Sequence, residues 1–146
     1  MAVDERWVVF VRVADRSGTL TALSECFSTR GVSFEAFSTL DVHGGEGHMA
    51  ITFRASRRLA EVLVRTLGRF TAVRGVRLER AGDPRVRATA AVEGVEVTSA
   101  DGVVTLSVWS GVTLLAGSLD AVERAVDTAR GAGATAVSLT VLPPLG

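Results

Sequence analysis

The 146-residue sequence has no lysine, no tyrosine, a single cysteine and only three prolines. One cysteine, Cys26, excludes an intramolecular disulfide and any CxxC metal or redox site. Sixteen arginines supply all the positive charge and sixteen acids balance it, so there is no excess of either sign. That balance argues against a nucleic-acid binder, whose affinity comes from clustered positive charge neutralising phosphate. No apolar run approaches the roughly 20 residues that span a bilayer, so no membrane segment is expected. The opening MAVDERW lacks the basic stretch followed by an apolar one that marks a signal peptide. A cytoplasmic protein is the expectation. Arginine in place of lysine, with abundant alanine, is a usage associated with GC-rich bacterial genomes. Against these absences stand 47% apolar and 22% charged residues, ample for a packed core and too apolar for a disordered chain.

The balance conceals an asymmetry. Residues 1–80 hold twelve arginines against nine acids, and residues 81–146 hold four against seven. Between them Ala81-Gly82-Asp83-Pro84 reads as a turn, because Pro84 fixes its own φ and biases Asp83 away from helix. The expected organisation is a first unit over 1–81, a linker at 82–84 and a second unit over 85–146.

Within the first unit, Trp7, Val9, Val11 and Val13 alternate with Arg12 facing away, which predicts a strand. After Asp15-Arg16-Ser17-Gly18, either Ser17 or Thr19 can cap a helix in which Leu20, Leu23 and Phe27 recur on one side. Arg30 in its last turn and Gly31 after it suit a helix end. Phe34, Ala36, Ser38, Leu40 and Val42 predict a second strand. The glycine-rich stretch His43–Gly47 predicts a hairpin turn, and Met49, Ile51 and Phe53 a third strand. Ser56 can cap a second helix with Leu59, Val62, Leu63, Leu67 and Phe70 as its apolar stripe. Gly75 is expected to close the connection to a fourth strand holding Val76 and Leu78. This βαββαβ order predicts an α+β, ferredoxin-like sandwich with both helices on one sheet face. The other face would be bare yet apolar, with Phe10 and Phe37 on it.

The run from the first strand into Asp15-x-x-Gly18-x-Leu20, the helix ending at Arg30-Gly31-Val32, and the later Val73-x-Gly75-Val76 resemble an ACT domain over about residues 6–80. The resemblance implies a regulatory, non-catalytic module that binds an amino acid or similar small effector where two such units pair. The pairing would come from a homodimer or from two units of one chain. It implies a site at Asp15, Ser17, Gly18, Thr19 and Leu20. There the bare Gly18 lets a ligand approach the open N–H groups of a helix start, whose dipole favours a carboxylate. Asp15 either meets the ligand's ammonium group or only fixes the turn. Members of the family often carry an amide side chain at the start of the second strand to read the ligand; Ser33 stands there in this sequence.

In the second half, Val86, Ala88, Ala90 and Val92 alternate as a strand. Val95–Thr98 and Val103–Trp109 flank the hairpin signal Asp101-Gly102, and a strand–helix–strand run follows from Val112 to Val141, with Ser118 as a cap. The tandem reading is two ferredoxin-like units, the second degenerate, with an extra hairpin in place of its first helix. The alternative is an unrelated small α+β domain.

Sites for chemistry are few. His43 and His48 flank the glycine turn, but two ligands do not make a structural zinc site, and no metal or cofactor is expected. Gly44-Gly45-x-Gly47 lacks the Lys-Ser/Thr of a phosphate loop. Cys26, on the apolar side of its helix with no assignable base, reads as a small hydrophobe and not a nucleophile. Arg57, Arg58, Arg65 and Arg69 make a basic helix face without stacking aromatics. No acid–base–nucleophile set is assignable, so no enzyme is expected. The rival to the effector sensor is an ACT-like dimerisation or docking module with an inert turn.

Overall fold

β-branched and aromatic residues crowd the first strand, β1 (Glu5–Ala14), and most of it is buried, as befits the middle of a sheet. The computed structural model describes residues 3–14, 18–98 and 100–145. The chain folds as two compact units, Met1–Ala81 and Gly82–Gly146.

The first unit continues with α1 (Thr19–Thr29), β2 (Phe34–His43), β3 (Glu46–Ala55), α2 (Arg57–Gly68) and β4 (Val73–Arg80). The antiparallel sheet has the order β2-β3-β1-β4. β1 lies between β3, with Val9 opposite Ile51, and β4, with Val9 opposite Leu78. Trp7, Val9, Val11 and Val13 form one core with Leu23, Cys26 and Phe27 of α1 and Ala60, Leu63 and Leu67 of α2. Both helices therefore cover the same face. Phe27 ties this core together: its ring meets Phe53 and Phe34 edge-on at 5.2 and 6.0 Å. The Trp7 indole N–H donates to the Ala55 carbonyl at 2.9 Å, so its one polar atom is satisfied inside.

Local signals act where expected at several ends. Ser56 Oγ accepts from the Leu59 N–H at 3.2 Å. Gly31, at φ 68°, closes α1, and the Val32 N–H returns to the Phe27 carbonyl at 3.0 Å. Gly44 and Gly45 both take positive φ in the two-residue β2–β3 turn.

Four expectations change. Phe37 packs on the helix-covered core, not on the opposite face. The register slips between Phe34 and Ala36, so that Phe34 opposes Phe53 and Phe37 opposes Ile51; one bulged residue shifts the alternation by one. Phe10 does lie opposite the helices but is buried, at 7% exposure. Leu20 is 53% exposed, because the buried line of α1 is Thr19, Leu23, Cys26 and Phe27 and Leu20 falls one residue off it. Gly75 is inside β4, opposite Arg12, whose guanidinium lies 3.4 Å from where a Cβ would be.

The second unit contains β5 (Arg87–Glu93), β6 (Val103–Trp109), β7 (Val112–Ser118), α3 (Leu119–Gly131) and β8 (Ala136–Leu142). Its sheet order, β6-β7-β5-β8, repeats that of the first unit strand for strand. The first helix is missing. Residues 95–98 form no strand, and the hairpin is reduced to one bridge, Ala100 with Val103, around Asp101-Gly102. Gly117 is required there: a Cβ would come within 2.5 Å of the Gly102 carbonyl oxygen. Ser118 caps α3 through the Ala121 N–H at 3.3 Å. Trp109, at the end of β6, is 74% exposed and contributes nothing to a core. The fold is thus α+β, two tandem ferredoxin-like units with the second lacking its first helix. Among the described residues no helix is long and apolar enough to cross a membrane.

Because Phe27 joins α1 to both β2 and β3, Phe27→Ala is expected to cost about 3–5 kcal/mol of unfolding free energy. Urea denaturation checks this; a loss under 1 kcal/mol would mean that the ring is not a core group.

Candidate functional site

β1 runs antiparallel to β4, so the end of one lies beside the start of the other. The Ala14 N–H donates to the Ala72 carbonyl at 2.7 Å, which fastens the end of β1 to the α2–β4 turn. The chain then enters α1 through Gly18, at φ 86°, in the left-handed region that only glycine occupies without strain. A cavity of about 460 Å³ opens here. Gly18, Thr19 and Ala22 line one wall, from the first turn of α1; Arg69, Phe70, Thr71, Ala72 and Val73 line the other.

Gly18 is the N-cap of α1 and provides no side-chain acceptor. Its carbonyl accepts from the Ala22 N–H at 3.0 Å, the first bond of the helix. The N–H groups of the first turn have no partner within the helix, and the dipole places partial positive charge there. Thr19 does not cap, contrary to one sequence expectation: it is already helical, and its hydroxyl points back to the Ala14 carbonyl at 3.4 Å. Across the cavity, Arg69 is exposed and has no ion-pair partner among the described residues. A helix start and an arginine thus line one opening, residue types that suit a carboxylate.

Of the expected site residues, Gly18 and Thr19 line this cavity. Leu20 and Ser33 are exposed and do not line it. Asp15 and Ser17 lie outside the described residues. Sequence reasoning missed Arg69 and the turn that follows it. Arg69 was visible only as one of several arginines on a helix, and what takes it to the mouth of α1 is the antiparallel pairing of β1 with β4, which no local pattern announces.

His48 Nε2 is 3.8 Å from Glu46 Oε2, which also faces Arg12 Nε at 3.4 Å, and His43 is exposed. No group of three potential metal ligands occurs among the described residues. Cys26 is buried, and burial pushes its thiol up despite the opposing pull of the Arg30 charge. Arg30 donates to the Cys26 carbonyl and to Thr66 Oγ1, both at 3.2 Å, and so joins α1 to α2.

No family model and no curated protein matches the sequence. Solved structures do. The small subunit of acetolactate synthase from Thermotoga maritima superposes with a TM-score of 0.66 at 12% identity, over 97% of this chain and 98% of that one. An unknown protein from Galdieria sulphuraria gives 0.48 at 14% identity, over 98% and 100% of the two chains. The regulatory subunit of aspartate kinase from Thermus thermophilus, in its ligand-free form, gives 0.47 at 13%, over 89% and 93%. The first establishes a shared fold along the whole chain; the other two are too distant to add to it. The fold is the tandem ferredoxin-like arrangement expected from the sequence, shared along its length with that small subunit.

Two tests address the local structure. Gly18→Ala meets no atom within 4 Å, so its cost is backbone strain alone, about 1–2 kcal/mol, and Gly18→Asn is expected to cost less. Equal stability of wild type and Gly18→Ala in urea would contradict the left-handed cap. The raised Cys26 thiol is expected to react with iodoacetamide at pH 8 far more slowly than free cysteine, and to equal it once urea unfolds the chain. Equal rates in the folded protein would contradict the burial.

Proposed function

We propose that the protein is a non-catalytic regulatory module of the bacterial cytoplasm that senses an amino acid or similar small effector. The effector's carboxylate sits between the first turn of α1 and Arg69. Its remainder is covered where one ACT-type unit meets another in a homodimer. The observation that carries this reading is the cavity itself. Gly18 brings no side chain to the helix mouth, and Arg69, which has no partner among the described residues, lines the same cavity from the α2–β4 turn. The shared fold with the small subunit of acetolactate synthase supports the regulatory part. Asp15, Ser17 and Leu20, neighbours of Gly18 in the sequence, are proposed contributors to this opening; Ser33 follows the far end of α1 and is proposed to contribute only from a second copy. Regulation follows by population shift: an effector whose contacts are complete only in one pairing geometry favours that geometry.

Thermal unfolding in the presence of each of the twenty amino acids at millimolar concentration tests this. A ligand at a hundredfold excess over its Kd adds about 2.7 kcal/mol, a shift of several degrees in Tm. At least one amino acid is expected to produce it. Gly18→Asp, which sets a carboxylate in the opening, and Arg69→Gln, which removes the facing cation, are each expected to abolish the shift while leaving the unliganded fold intact. Absence of any shift with all twenty would contradict effector binding. A shift that survives both substitutions would remove this cavity from the account.

A further inference from the structure

Fifteen of the sixteen arginines lie among the described residues, and they divide unevenly. Nine meet a carboxylate: Arg12 meets Glu46, Arg80 meets Glu5 and Arg124 meets Asp120, with the other six placed likewise. Two more are held by carbonyl or hydroxyl oxygens: Arg30 by Cys26 and Thr66, Arg87 by Pro143. The four without a partner among the described residues are Arg58, Arg65, Arg69 and Arg74, all exposed and all within one stretch of 17 residues. Three of them sit on α2 and its C-cap at i, i+7 and i+11, which is one straight line along a helix of 3.6 residues per turn. That line runs for about 16 Å, opposite the buried line of Ala60, Leu63 and Leu67. The only acid on α2, Glu61, is engaged by Arg57 at 3.1 Å and does not neutralise it.

We infer that this stripe is a docking surface for an acidic segment of a partner protein, with carboxylates repeating along one side of it. Three arginines aligned along one helix face, without partners among the described residues in a chain that pairs most of its other arginines, offer guanidinium forks to carboxylates of matching spacing. The argument is charge complementarity: residues 1–80 carry the chain's local positive excess, and this stripe is where it stands unpaired. A membrane surface fits less well, since none of the large exposed apolar residues is on α2. Nucleic acid fits less well too, since the stripe has no exposed aromatic to stack a base and the whole chain is neutral. The inference does not rest on the proposed effector site, although Arg69 belongs to both places and a bound effector would leave Arg58 and Arg65 as the free part of the stripe.

Fluorescence anisotropy on the full chain tests it. The probe is a labelled alanine-based helical peptide with glutamates at i, i+4, i+7 and i+11, used at 50 and 200 mM NaCl. The peptide is expected to bind and to weaken at the higher salt. Arg58→Gln with Arg65→Gln, which leaves the cavity's Arg69 in place, is expected to weaken binding about tenfold. The control Arg57→Gln with Arg124→Gln removes the same formal charge from paired arginines and is expected to change it less than about twofold. The inference is overturned if the peptide does not bind, if the two double variants lose affinity equally, or if a single-stranded RNA or phosphatidylglycerol vesicles bind more tightly than the peptide. Retention of the amino-acid Tm shift in Arg58→Gln with Arg65→Gln would show that the two proposals stand or fall separately.

Discussion

The arrangement depends on one strand. β1 is central in its sheet, and its antiparallel pairing with β4 determines what its end can meet. The bond from the Ala14 N–H to the Ala72 carbonyl holds the exit of β1 against the turn that follows α2. The left-handed Gly18 then turns the chain into α1 beside the cavity that Arg69 also lines. If that pairing were loosened, the helix start and the guanidinium would become two unrelated surface features. The core beneath, with Phe27 between α1 and the sheet, keeps α1 in place while its first turn stays open.

The two units solve the same topological problem with different means. Both order their strands identically, and both place a capped helix after the third strand, with Ser56 and Ser118 as the caps. They part at the first crossover. In the first unit an eleven-residue helix with a glycine cap makes the connection. In the second it is made by an irregular segment closed by one bridge at Asp101-Gly102, with Gly117 allowing the close pass. The open helix mouth therefore belongs to the first unit alone, and the proposed effector site is placed there for that reason.

Much of the fold was legible because burial imposes periodicity. The alternation of Trp7, Val9, Val11 and Val13, and the stripe holding Leu63 and Leu67, are direct records of a sheet face and a helix face. Caps and turns were equally plain, since Ser56, Gly31 and Gly44-Gly45 each satisfy a specific backbone need. What escaped was whatever depends on one residue of register or on distant pairing. The bulge at Phe34–Ala36 moves Phe37 to the other side of its strand, and nothing in the alternating pattern marks it. Leu20 fits a helical stripe by spacing but falls outside the line that Thr19, Leu23 and Phe27 bury. Half of the cavity, Gly18 and Thr19, could be named from the chain; the other half, from Arg69 to Val73, could not, because β-pairing across some fifty residues puts it there. The unpaired arginines are a similar case. Composition counts sixteen, but only the geometry separates those that acids hold from those without a partner among the described residues.

The central claim is that the opening of α1 and the α2–β4 turn act together as one carboxylate site. The most direct measurement is an amide chemical-shift titration of the isotopically labelled chain with the amino acid that stabilises it most. The account predicts that the amides of Thr19, Leu20 and Thr21 and those of Phe70, Thr71 and Ala72 move together, along one saturation curve. Shifts confined to other residues, or movement of one group without the other, would contradict it.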